Sequence, residues 1–125
     1  MAKYIHPDVH DKGLQEIVDN CDKQVALTAF TSTYATANGA NKLAEVAVAP
    51  GDFTLANGDV SGRKVTVAQK TGGTITAEGN PTNIAWLDTV NSRVLMVTEE
   101  TTTQTLYVGN PVTFPSVSYE SRDPA

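Results

Sequence analysis

The chain has 125 residues, a mass of 13.3 kDa, 40% hydrophobic and 18% charged residues. It is long enough to bury one core without disulfide or metal staples, which points to one domain. A net charge of -5 and a pI near 4.8 exclude an ordinary nucleic-acid surface, because phosphate affinity comes from clustered Lys and Arg and the nearest approach to a cluster is Arg63-Lys64.

Residues 1–6 read as an extended N-terminal arm: Tyr4 and Ile5 are apolar, and Pro7 biases His6 away from helix. Pro7 suits a first helical position, and Asp8 and Asp11 place negative charge at the positive end of a helix dipole. His10, Leu14, Ile17, Val18 and Cys21 then recur at helical spacing, which predicts an α-helix over about Pro7 to Asn20. Cys21 ends that stripe and reads as a buried, inert thiol rather than a reactive one. As the only cysteine it closes no intrachain disulfide, so nothing indicates an oxidising compartment.

After the helix the apolar period becomes two. "KQVALTAF" puts Val25, Leu27 and Ala29 on one face, "TSTYATANGAN" reads as a long polar loop, and "KLAEVAVA" alternates through Ala44, Val46 and Val48 until Pro50-Gly51. "LANGDVSG" is turn chemistry. "RKVTVAQK" points Val65 and Val67 inward, and "TGG" reads as a tight connection into "TITAE", making 63–78 a hairpin. "NIAWLDTVNSRVLMVTEE" holds two apolar runs joined by a short polar link, an antiparallel pair covered on both faces. "EETTTQ" reads as a polar loop, "TLYV" as a strand, "GNP" as a turn, and "VTFPSVSYESRD" as a last strand that Pro115 places at an edge or bulge. The sum is a mainly β domain over 7–125: a β-sandwich or open barrel of about eight short antiparallel strands with one N-terminal helix packed on it.

The chemistry-bearing motifs are weak. His6 and His10 are spaced as a helical metal pair would be, but Pro7 follows the first and no third ligand accompanies them, so no metal site is expected. "KTGG" lacks the Ser-x-x-Lys that penicillin-recognising enzymes require, and "GDVSGRK" lacks the spacing of a phosphate loop. Both histidines lie in the first ten residues, away from the β-rich body that would have to supply a nucleophile, so no catalytic residue and no cofactor is assigned. Trp86, between Ala85 and Leu87, reads as core rather than as a sugar-stacking platform. The Thr-rich, weakly charged stretches "TAFTSTYATANG" and "EETTTQTLYVG" suit either a solvated β-surface or a contact surface, since Thr, Tyr and Asn desolvate at low cost. The first residues hold no apolar signal segment, and no run of about eighteen apolar residues follows, so no membrane span is expected.

Four segments, "PDVHDKGLQEIVDNCDKQVAL", "GDVSGRKVTV", "NIAWLDTVNSRVLMVTE" and "GNPVTFPSVSYESRDPA", together resemble a family of small structural proteins of tailed bacteriophages. The resemblance implies a non-enzymatic virion component, foremost a capsid decoration or cement protein that binds the outer surface of the head shell and stabilises it. A tail or head-to-tail connector component is the alternative, and a glycan-binding surface module ranks below it. The implied partners are the major capsid protein and further copies of this chain, a trimer among the options, with assembly in the host cytoplasm and residence on the capsid exterior. The arm residues Tyr4, Ile5 and His6 are the candidate capsid contacts, because exposed apolar side chains on an arm find pockets.

Overall fold

The computed structural model describes residues 5–99 and 105–122. The helix stands where the spacing put it: α1 runs Pro7–Asn20 and buries His10, Leu14, Ile17 and Val18. His6 is its N-cap, with ring Nδ1 accepting from the Asp8 backbone N–H at 3.0 Å. At the other end no glycine closes the helix. Cys21 turns into extended backbone, its N–H donating to Ile17 O, and Asp22 N–H donates to Leu87 O at 3.0 Å, so the chain passes straight into a sheet.

The described residues form nine strands: β1 (Lys23–Leu27), β2 (Lys42–Ala47), β3 (Phe53–Asn57), β4 (Arg63–Val67), β5 (Lys70–Ile75), β6 (Asn83–Asp88), β7 (Arg93–Glu99), β8 (Val112–Phe114) and β9 (Val117–Ser121). They make a six-stranded sheet of order β7-β6-β1-β2-β5-β8 and a three-stranded sheet of order β3-β4-β9, with every pairing antiparallel. Neither sheet closes into a barrel, so of the two architectures left open by the sequence the layered one is found.

One core lies between the layers. Ala26, Ala44, Val46, Ile84 and Trp86 of the large sheet meet Phe53, Val65 and Val67 of the small one and Leu14, Ile17 and Val18 of α1. Phe53 and Trp86 touch edge to face, with ring centroids 5.5 Å apart. The helix is also fastened by charge: Asp11 Oδ1 pairs with Arg63 Nε at 2.8 Å and Glu16 Oε1 with Arg93 Nη2 at 3.0 Å, one bond to each sheet.

A second, smaller cluster lies on the back of the large sheet, where Val25, Leu27, Ala85 and Leu87 are covered by Ala37 and Tyr34. These two come from α2 (Tyr34–Ala37), a single helical turn inside the stretch expected to be a long polar loop. Burying a Val or Leu fully is worth about 1.5–3 kcal/mol, so a turn with one buried alanine is held by the sheet beneath it rather than by its own propensity. This cover explains why β6 is buried at all six positions and why β1 buries Gln24 and Ala26 as well as Val25 and Leu27, where the alternation had predicted one buried face.

Other expectations are corrected. Residues 63–78 are not a hairpin: β4 belongs to the small sheet and β5 to the large one, the chain crossing between them at Ala68-Gln69. "TGG" lies inside β5, where the pairing with β8 shifts register between Lys70 and Gly73. A glycine pair serves a bulge as well as a turn. Phe53–Asn57, partly read as turn, is a strand that pairs with β4. The two apolar runs do pair, but only β6 is central; β7 is an edge strand, half-buried along most of its length. "TLYV" contributes one isolated bridge, Leu106 with Gly79. The last strand is two, β8 on the large sheet and β9 on the small one, divided at Pro115-Ser116. Pro115 has no N–H to donate and thus marks the place where the chain changes sheets. The 100–104 part of the expected polar loop and the carboxyl-terminal Asp-Pro lie outside the described residues.

Candidate functional site

The arrangement that brings sequence signals together is one end of the large sheet. The registers place the end of β1, the start of β2, the end of β5, the start of β6 and the end of β7 side by side, through Leu27 with Lys42, Leu27 with Asn83, Ala44 with Ile75, and Asn83 with Glu99. Three loops leave from this end and are stitched to one another. Thr28 N–H donates to Asn41 O at 2.9 Å, and the Asn41 side chain donates to Ala29 O at 3.2 Å, fixing the first Thr-rich loop. Thr82 N–H donates to Leu27 O at 2.8 Å. Gly79 and Leu106 exchange both backbone bonds, and Thr105 Oγ1 donates to Asn80 Oδ1, fixing the start of the second. The first Thr-rich stretch and residues 105–109 of the second, almost eighty residues apart in sequence, therefore stand on a common rim.

The rim carries exposed apolar side chains: Phe30 is 66%, Tyr107 50% and Val108 58% exposed. Between Thr28 and Thr33, and between Thr105 and Pro111, there is no charged residue. A surface of Thr, Asn, Gly and Ala with aromatic and aliphatic points loses little on desolvation and gains from apolar contact. The remaining exposed hydrophobics, Val9, Val60, Val90 and Tyr119, are dispersed over α1, the β3–β4 turn, the β6–β7 turn and β9; single ones of this kind are ordinary. Phe30 was not singled out from sequence, although an aromatic alone inside "TAFTST" was the available signal.

Of the arm candidates, Tyr4 lies outside the described residues, Ile5 is half-buried and His6 is exposed with its ring engaged in the helix cap. The arm leads into the part of α1 tied to the small sheet, since His10 Nδ1 lies 2.7 Å from Ser121 Oγ and Asp11 binds Arg63, itself bonded to Asn57. The Ser121–His10 contact has the distance of a nucleophile–base pair, between residues 111 positions apart that no motif links. The ring is 4% exposed and sits in the apolar stripe of α1, so its evident work is to join helix and β9.

No family model matches the chain, and neither a curated protein nor a solved structure matches it.

Elsewhere the polar groups are engaged in holding the fold. Asp88 is 1% exposed; it accepts from the Asn91 side chain at 2.9 Å, from the backbone N–H groups of Val90 and Asn91, and from Arg93, and these bonds hold its carboxyl down at about 2. Glu45 binds Lys42 and Lys23 at 2.8 and 2.9 Å and is also kept below the usual carboxylate range. Burial pushes the Cys21 thiol up to about 12, in keeping with an inert role. Trp86 is fully buried and donates Nε1–H to Gln24 Oε1 at 3.1 Å, which removes it as a sugar platform. Among the described residues no three His, Cys, Asp or Glu side chains are grouped to hold a metal ion, and no helix is long and apolar enough to cross a membrane.

Proposed function

We propose that this chain is a structural protein of a tailed-bacteriophage virion, a decoration or cement protein that sits on the outside of the head shell. The observation that carries the reading is the rim, where two uncharged segments, 28–33 and 105–111, present Phe30, Tyr107 and Val108 at one end of the large sheet. The resemblance of four sequence segments to phage structural proteins supplies the setting. The rim supplies a surface suited to lying on a protein lattice, with the arm at residues 1–6 as a second contact.

The physical role follows from repetition. A shell under internal pressure gains from each bound copy that bridges neighbouring coat subunits, because ligands that bind only the mature lattice shift the equilibrium toward it. A negative net charge suits a protein that must not compete for the packaged nucleic acid.

The test is the stoichiometry of the chain in intact virions, measured by mass spectrometry against the major coat protein. A ratio of one to a small integer supports a shell-wide role. A few copies per particle transfers the chain to the tail or connector, and absence from particles removes the virion reading altogether.

A further inference from the structure

Four strands lie at sheet edges, β7 and β8 on the large sheet and β3 and β9 on the small one. An edge presents unpaired N–H and C=O groups, and proteins guard such rows with prolines, charges, short length or a covering element. Three of the four are guarded here. β8 is three residues long and lies between Pro111 and Pro115. β9 carries Glu120, which is paired with Arg122 and accepts from the backbone of Asp59 and Val60 in the β3–β4 turn. β3 lies against α1.

β7 also lies against a helical turn, α2, on one face, but its length and the row of backbone groups along its outer side set it apart. At seven residues it is the longest strand among those described, it holds neither proline nor glycine, and its charges are confined to its two ends, Arg93 and Glu99. Among the described residues no strand pairs with its outer side. One irregularity interrupts it, a bulge at Leu95 where Val94 and Met96 face the adjacent residues Leu87 and Trp86.

We propose that β7 pairs antiparallel with β7 of a second copy, about a two-fold axis through Met96. That register sets Arg93 opposite Glu99 at both ends, Val94 opposite Thr98, and Leu95 opposite Val97. The charge pattern is thus self-complementary, as a two-fold interface requires, and the uncharged residues fall in the middle. The axis relates the two bulges by symmetry, with each Leu95 opposite Val97 of the other copy. Arg93 already holds Asp88 and Glu16, but those bonds use Nε and Nη2, and its side chain is 40% exposed. Glu99 is exposed. The large sheet would then run continuously through both copies, β6-β7-β7-β6.

The experiment uses the full chain. Sedimentation equilibrium over a concentration series reads the dimer Kd, mild oxidation of Met96→Cys reads the register, and circular dichroism with Trp86 emission reads the fold. The expected result is a reversible dimer that Met96→Cys traps covalently and that Glu99→Lys weakens about tenfold or more, since two attractive cross-strand pairs become repulsive, with the fold signals unchanged. A monomer throughout the series overturns the proposal, as does an oligomer that Glu99→Lys leaves unaffected and Met96→Cys does not trap.

Discussion

Trp86 of the large sheet meets Phe53 of the small sheet edge to face, at 82° between ring planes, and donates its indole N–H to Gln24 beside it. The pair joins two layers that share no backbone hydrogen-bond ladder, so their alignment depends on side-chain packing across the core. Phe53→Ala should therefore cost about 3–5 kcal/mol, the range for a buried phenylalanine truncation, as read by urea unfolding. In the intact protein the Trp86 emission should be blue-shifted and insensitive to iodide. Strong quenching by iodide or a response to added sugars would contradict the core position.

Two glycines should respond to alanine in opposite directions. Gly62 has φ +68, and a Cβ there would fall 2.0 Å from Ser121 O across the β4–β9 pair. Left-handed strain of about 1–3 kcal/mol adds to that collision, so Gly62→Ala should destabilise by about 2 kcal/mol or more. Gly13 sits inside α1 with nothing within 4 Å of an added Cβ. Gly13→Ala should stabilise by about 0.4–1 kcal/mol through helix propensity and lost freedom of the unfolded chain. Thermal melts of both variants check the pair, and the same sign for both would refute the argument.

These positions also mark how far the sequence could be read. α1 was legible because His10, Leu14, Ile17 and Val18 repeat at the helical period, and β4 because Val65 and Val67 alternate with polar residues. The pairing of β6 with β7 followed from two apolar runs and a short link. What could not be read was which sheet each later strand joins. Gly72 and Gly73 look alike whether they close a hairpin or form a bulge. Only the folded chain shows Gly73 pressed against Val112 and Phe114, with no room for a Cβ. α2 was hidden for a related reason: its one buried residue is Ala37, too small a signal among threonines to reveal the sheet face it covers. The rim was legible in composition but not in position, since its loops meet only after β1, β5, β6 and β7 are in register.

Acid should weaken the fold through Asp88. Its carboxyl is held at about 2, first by the Asn91 side chain and then by Arg93, against an ordinary value of 3.8. Between those values the unfolded chain binds a proton that the folded one refuses, so this contribution is complete above about pH 4 and is lost as pH falls through about 2. Glu45, lowered by Lys42 and Lys23, and Asp52, lowered chiefly by the Ala49 backbone N–H, act in the same direction. In urea unfolding from pH 6 to pH 2, Asp88→Asn should be less stable than the parent above pH 4, and the gap should narrow toward pH 2. A gap independent of pH would mean that the charge on Asp88 plays no part.

Attachment to the shell should depend on the rim. Phe30 and Tyr107 stand on loops fixed by backbone bonds outside the main core, so Phe30→Ser and Tyr107→Ser should change stability by no more than about 0.5 kcal/mol, as surface substitutions do. Aromatic anchors in a contact surface carry a disproportionate share of binding, at about 1–2 kcal/mol or more each when truncated. The double variant should therefore occupy undecorated shells at least about tenfold less tightly than the parent. Val90 is the control: it is 84% exposed in the β6–β7 turn, at the opposite end of the large sheet, and Val90→Ser should bind as the parent does. Shell occupancy, measured by co-sedimentation over a concentration series, separates the possibilities. Loss with Val90→Ser and none with the rim variant would move the contact to the other end of the molecule. If neither variant matters while removal of residues 1–6 abolishes binding, the contact lies in the arm and the rim faces solvent.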